Sequence, residues 1–131
     1  MRDETKQWLS YADDNLRSAR VLLESELFNP CLQNAQQAVE KTLKAAMVES
    51  GIKFKKTHSI SELVTLLAQK KMRVSITEEE CDLLDSIYLP SKYPLGSVLP
   101  NFEPDLQICE RCISVAEQVK ISVESLLPNK S

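Results

Sequence analysis

The chain has 131 residues, 43% of them apolar, and it is expected to form one domain over residues 1–131 with a core that needs no outside support. Sixteen basic against nineteen acidic side chains give a net charge of −3, which excludes a generic nucleic-acid coat, since that role needs many phosphate-neutralising cations. No apolar run nears the roughly 20 residues that cross a bilayer, and Met1-Arg2-Asp3-Glu4 leads into an amphipathic pattern rather than an apolar leader. A cytoplasmic location away from membranes is expected, with the four cysteines reduced.

The spacing predicts a first helix from about Asp3 to Ser25. Trp8, Leu9, Ala12, Leu16, Ala19, Leu22 and Leu23 fall on one stripe at helical period, and Val21 alone lies on the polar side. In the second helix, Asn29 is placed as the cap, Pro30 in the first turn and Gly51 just past the end. Cys31, Leu32, Ala35, Ala38, Val39, Thr42 and Ala46 share a face of mostly small residues, which lets neighbours approach and puts this helix in the middle of a bundle. Ser59 with Glu62, and Thr77 with Glu80, have the capping-box spacing and start the third and fourth helices. Pro90 is expected to stop the fourth, and a loop to run from about Leu89 to Glu103. The last helix starts near Pro104-Asp105 and runs to Leu127. Its apolar arc is wide enough to need two flanking helices or a second subunit. With no convincing strand, the expectation is all-α: an antiparallel up-and-down bundle of four main helices plus one shorter helix.

Few groups here carry chemistry. Cys109-x-x-Cys112 has the spacing of half a zinc site, but both fall on the apolar stripe and no second pair exists, so the pair reads as core and no metal or cofactor is expected. Gln33, Gln37, Glu40 and Lys44, spaced 4, 3 and 4, form one line on the second helix with Lys41 beside them. Read as a solvated face, Glu40 and Lys44 are a surface pair contributing ~0.3–0.5 kcal/mol. Read as a site, the amides and lysines suit bases, sugars and phosphate. His58, the one histidine, precedes a helix start, where the dipole welcomes anions. Lys92 and Tyr93, between Pro90 and Pro94, could hold a phosphate and stack a base. From Gly51 to Arg73 six cations face Glu62 alone, a segment able to steer an anion.

Taken in order, Trp8, the stretch Gln36-Gln37-Ala38-Val39-Glu40-Lys41-Thr42-Leu43-Lys44-Ala45, then Thr57-His58-Ser59-Ile60, then Tyr88 to Pro94 resemble the HEPN family, the higher eukaryotes and prokaryotes nucleotide-binding domain. The resemblance covers about Lys6 to Leu126. It implies a helical bundle that forms a homodimer and works beside a minimal nucleotidyltransferase in a two-component, toxin–antitoxin-like module. Its ligand would be a nucleotide or RNA, held by Gln37, Lys41, Lys44, His58, Lys92 and Tyr93. Other branches of the family are metal-independent ribonucleases with an Arg shortly before a catalytic His. Here only Lys53 stands at such a spacing from His58, and Lys92 stands where the Ser-basic-Tyr-Pro segment usually has Arg. The expectation is therefore binding rather than catalysis, with a ribonuclease, or a non-catalytic dimerisation and interaction module, as the alternatives.

Overall fold

A computed structural model describes residues 1–53, 56–92 and 104–128, with side chains in the fourth helix through Ile87. These residues form five helices and no strand: α1 Asp3–Glu24, α2 Phe28–Glu49, α3 Ile60–Gln69, α4 Glu78–Lys92 and α5 Leu106–Leu126. The expected all-α bundle is what forms.

α2 is the hub and touches all four other helices. Its small-residue face is buried as expected, from Cys31 through Ala35 and Val39 to Ala46. α1 runs antiparallel to α2. Arg2 and Thr5 meet the end of α2 at Glu49, and Asn15 meets its first half at Asn34. α1 is also antiparallel to α5, with Arg20 on Glu117 and Asp13 on Lys120. The wide arc of α5 is thus flanked within the chain by α1 and α2. Cys109, Cys112, Val119 and Val123 are fully buried there, while Ile121 and Leu126 stay exposed. α3 and α4 make an antiparallel hairpin whose inner faces, Leu63, Leu67, Leu84 and Ile87, close the core.

The caps explain most boundaries. Thr77 and Glu80 form the full reciprocal box, each backbone N–H donating to the other's side chain at 2.9 and 3.1 Å. Ser59 accepts from the Glu62 N–H at 3.2 Å, but the Glu62 carboxylate turns to the Thr57 hydroxyl at 2.9 Å instead of closing the box. Asp105 caps α5 through the Ile108 N–H. α1, α2 and α3 each end with a left-handed residue: Glu26, Gly51 and Lys71. At each end two backbone N–H groups turn back onto the last carbonyls, as from Met72 to Leu67 and from Lys71 to Ala68.

Two expected boundaries are corrected. α2 begins at Phe28 with Leu27 before it, so Asn29 lies inside the first turn and does not cap it. Pro30 still fits there, because an N–H in that turn would have no helical partner. Pro90 does not stop α4, which continues to Lys92. Proline's fixed φ near −65° is itself helical; its cost is one lost N–H donor and crowding of the preceding turn. The expected loop therefore starts no earlier than residue 93, and residues 93–103 lie outside the described part.

Candidate functional site

The row Gln36, Glu40 and Lys44 steps by four along α2, and all three side chains are buried. This corrects the reading of Glu40 and Lys44 as a surface pair. A carboxylate taken out of water needs partners for its charge, and among the described residues three side chains reach Glu40. Lys44 Nζ donates to it at 2.9 Å, Gln36 Nε2 at 3.3 Å, and His58 Nδ1 lies 3.2 Å from it. The side chains of Glu40 and Lys44 are 4% and 8% exposed, against 44% for His58. The buried pair thus lies beneath a ring that reaches solvent.

His58 arrives from the residue before the α3 cap, so the returning loop and not the helix itself brings it onto α2. An ionised carboxylate only accepts hydrogen bonds. The contact with that carboxylate therefore places a proton on Nδ1. The expectation of an anion at the α3 start needs a different occupant from a ligand. The carboxylate of Asp85, on α4, accepts from the backbone N–H groups of Ile60 at 2.6 Å and Ser61 at 3.3 Å, and from the Ser59 hydroxyl at 3.2 Å. That carboxylate already meets the positive end of the helix dipole.

The rest of the polar line belongs to the seam between α1 and α2. Gln37 donates to Gln36 at 2.8 Å and so joins the Glu40 cluster at one remove. Lys41 donates to Asn15 at 2.8 Å, and Asn15 donates to Asn34 at 3.0 Å. Lys44 Nζ sits 5.7 Å from the Trp8 ring centre and Lys41 Nζ 5.9 Å from that of Tyr11, both within cation–π range. Gln37, Lys41, Lys44 and His58 therefore share one polar region on α2 and its neighbours. Gln33 is exposed and makes no part of it. Lys92 is the last residue of α4, and its side chain, with the whole of Tyr93, lies outside the described residues.

Sequence reasoning missed Glu40 as the centre, and missed Tyr11 and Asn15 altogether. The four-residue step from Gln36 to Glu40 to Lys44 was visible. What was not visible was that Trp8 of α1 and the loop before α3 cover it.

The cysteines are core, as expected. All four are free and buried. Burial pushes the Cys109 and Cys112 thiols up to about 12 and that of Cys81 up to about 11. Cys109 Sγ donates to the Phe28 carbonyl at 3.6 Å. Among the described residues no group of His, Cys, Asp and Glu side chains could hold a metal ion.

Comparison with known proteins agrees with this architecture. A Methanocaldococcus jannaschii protein named "Putative toxin MJ1304" is 26% identical over 136 residues, spanning 95% of this chain and 89% of that protein. The crystal structure of TT1696 from Thermus thermophilus superposes with a TM-score of 0.74 at 27% identity, covering 96% of this chain and all of that one (100%). An archaeal HEPN homologue, ST0689, gives 0.73 at 24% identity over 98% of this chain and 100% of its own. The HEPN domain itself matches residues 5–126. With the bundle, the buried polar row of α2 and this match over nearly its whole length, the chain belongs to the HEPN domain family.

Proposed function

We propose that this HEPN protein binds the phosphate of a nucleotide or RNA at the Glu40–Lys44–His58 cluster, as a homodimer in the cytoplasm. One observation carries the reading: the Lys44 ammonium, one turn on along α2, and the half-exposed His58 imidazole, brought in by the loop before α3, meet on the buried Glu40 carboxylate. Glu40 holds Lys44 and His58 in place, so little side-chain freedom is lost when a phosphate arrives. Gln37 and Lys41 extend the site along α2, and Lys92 and Tyr93 are carried over from the family resemblance as its further contacts.

The protein would act with a separate nucleotidyltransferase in a toxin–antitoxin-like module. Similarity to a protein named as a toxin supports the module; the nucleotidyltransferase is carried over from the family resemblance. Titration with ATP, GTP and short RNA at low salt tests the site. Binding is expected in the wild type, and about tenfold weaker in Lys44→Ala, on the scale of one charge-assisted hydrogen bond. Absence of binding, or affinity unchanged in both Lys44→Ala and His58→Ala, rejects it.

The contact between His58 and Glu40 favours one second reading, metal-independent RNA cleavage. A carboxylate behind a half-exposed imidazole orients the ring for proton transfer with a ribose hydroxyl. Incubation with RNA in EDTA decides: cleavage lost in His58→Ala establishes it, and an inert wild type removes it.

A further inference from the structure

α1 buries Ala12, Leu16 and Ala19 in the core and gives its two edges to α2 and α5, through Asn15 on Asn34 and through Arg20 and Asp13 on Glu117 and Lys120. The face left over is not a plain solvated one. Gln7, Tyr11, Asp14, Ser18, Val21 and Ser25 step along it by 4, 3, 4, 3 and 4, the spacing of a seam between two helices, and all six are exposed. Tyr11 is 57% exposed and Val21 61%. One exposed apolar group needs no account. Two on the same seam, about three turns apart, make it a candidate contact face.

The charges say what this seam fits. Lys6, Asp14, Arg17 and Glu24 are exposed on the same side of α1 and alternate in sign. Turn a second α1 end for end about a point between Asn15 and Leu16, and every sign meets its opposite. Asp14 falls opposite Arg17, Lys6 opposite Glu24 and Tyr11 opposite Val21, each level to within one residue, about 1.5 Å along the axis. A two-fold axis makes each of these contacts twice. A parallel pair in register would set like charges against each other. Beside Val21, between α1 and α2, opens a groove of about 490 Å³ lined in part by Ser18, Val21 and Asn34. Tyr11 lies on the α2 side of α1, with Lys41 Nζ 5.9 Å from its ring centre. In the antiparallel pair its ring therefore faces the groove of the other copy. Lys41 also limits the freedom of the ring, which reduces the entropy lost on docking.

We propose that this outer face of α1 seats a second copy of the chain, packed antiparallel on a two-fold axis, with Tyr11 of each copy against Val21 and the groove of the other and with Asp14–Arg17 ion pairs between the copies. This gives a face to the homodimer proposed above and rests on that reading; it is independent of phosphate binding. One helix and the groove beside it make a contact at the low end of specific interfaces, so the dimer should dissociate on dilution.

Sedimentation velocity on the full chain, over a dilution series, tests the face. The wild type should run as two chains at high concentration and as one at low. Asp14→Arg and Arg17→Asp should each raise the dissociation constant at least about tenfold, because each turns two attractions into two repulsions. Both positions are exposed, and circular dichroism should show unchanged helix content. An equimolar mixture of the two variants should pair again, and the chain carrying both substitutions should recover the wild-type constant. Tyr11→Ala should weaken pairing as well. A wild type that stays a single chain at every concentration overturns the face and the homodimer together, and leaves the phosphate titration to stand by itself. A dimer unmoved by Asp14→Arg, Arg17→Asp and Tyr11→Ala, or a mixture of the two charge variants that fails to pair, overturns the face while the homodimer stands on another surface.

Discussion

The Asp85 carboxylate accepts the backbone N–H of Ile60 at 2.6 Å, joining the middle of α4 to the first turn of α3. It also takes the Ser61 N–H and the Ser59 hydroxyl, so three donors at one helix start depend on one side chain. Because His58 immediately precedes that start, the same carboxylate fixes where His58 can lie. Asp85→Ala should cost about 2–3 kcal/mol, the scale of lost charge-assisted bonds at a helix N-terminus. Urea denaturation measures it. Asp85→Asn, which keeps an acceptor but loses the charge, should cost less. If His58 is a phosphate contact, Asp85→Ala should also weaken nucleotide binding in protein that is still fully folded.

Glu40 presents a sharper energetic case. Its side chain and that of Lys44 lie almost out of water, 4% and 8% exposed. Removing one member of a buried pair costs about 3–5 kcal/mol, because the other charge keeps its desolvation penalty. Glu40→Leu should therefore destabilise strongly in equilibrium unfolding. The double variant Glu40→Leu with Lys44→Met should recover much of that loss, since it removes both charges and keeps the volume. If the double variant is as unstable as the single one, the pair is not the reason for the cost.

The caps show how far the chain could be read unaided. Ser59–Glu62, Thr77–Glu80 and Asp105 are local signals, and each marks a real helix start. The apolar arcs are local too, down to Val21 standing apart on α1. Glu40 was illegible for the opposite reason. A wheel drawn on α2 puts Gln36, Glu40 and Lys44 on the polar side. Their burial depends on groups distant in sequence, among them Trp8 of α1 against Lys44 and His58 of the loop against Glu40. Asp85 is likewise distant in sequence from the helix start it fills. The end of α4 fails differently: Pro90 reads as a stop, yet its fixed φ allows the helix to continue to Lys92.

Lys71 holds φ at +64° and Glu26 at +58°, each in the left-handed turn that ends a helix. A side chain with a Cβ pays roughly 1–2 kcal/mol there, and glycine pays none of it. Glycine's freer unfolded chain takes back part of that gain. Lys71→Gly should therefore raise stability by up to about 1 kcal/mol, read as a higher urea midpoint with an unchanged slope. Gly51→Ala, at φ +68°, should move stability the other way by a similar amount.

The buried thiols make stability fall in alkali. An unfolded cysteine ionises near pH 9.0, whereas burial holds the Cys109 and Cys112 protons up to about 12. Below pH 9 both states are protonated and these groups add no pH dependence. Above it the unfolded chain releases protons that the folded chain keeps, so unfolding is favoured increasingly until the folded thiols titrate. Between pH 10 and 11 each such thiol should contribute a loss of about 1.4 kcal/mol per pH unit. Cys112→Ala should shift the whole stability curve by its cavity cost and flatten its alkaline limb by about that slope. An alkaline limb equally steep in Cys112→Ala would show that other groups set it. The same burial predicts slow chemistry at pH 8: a thiol-specific disulfide reagent should leave the native protein unmodified while it titrates four thiols in denaturant.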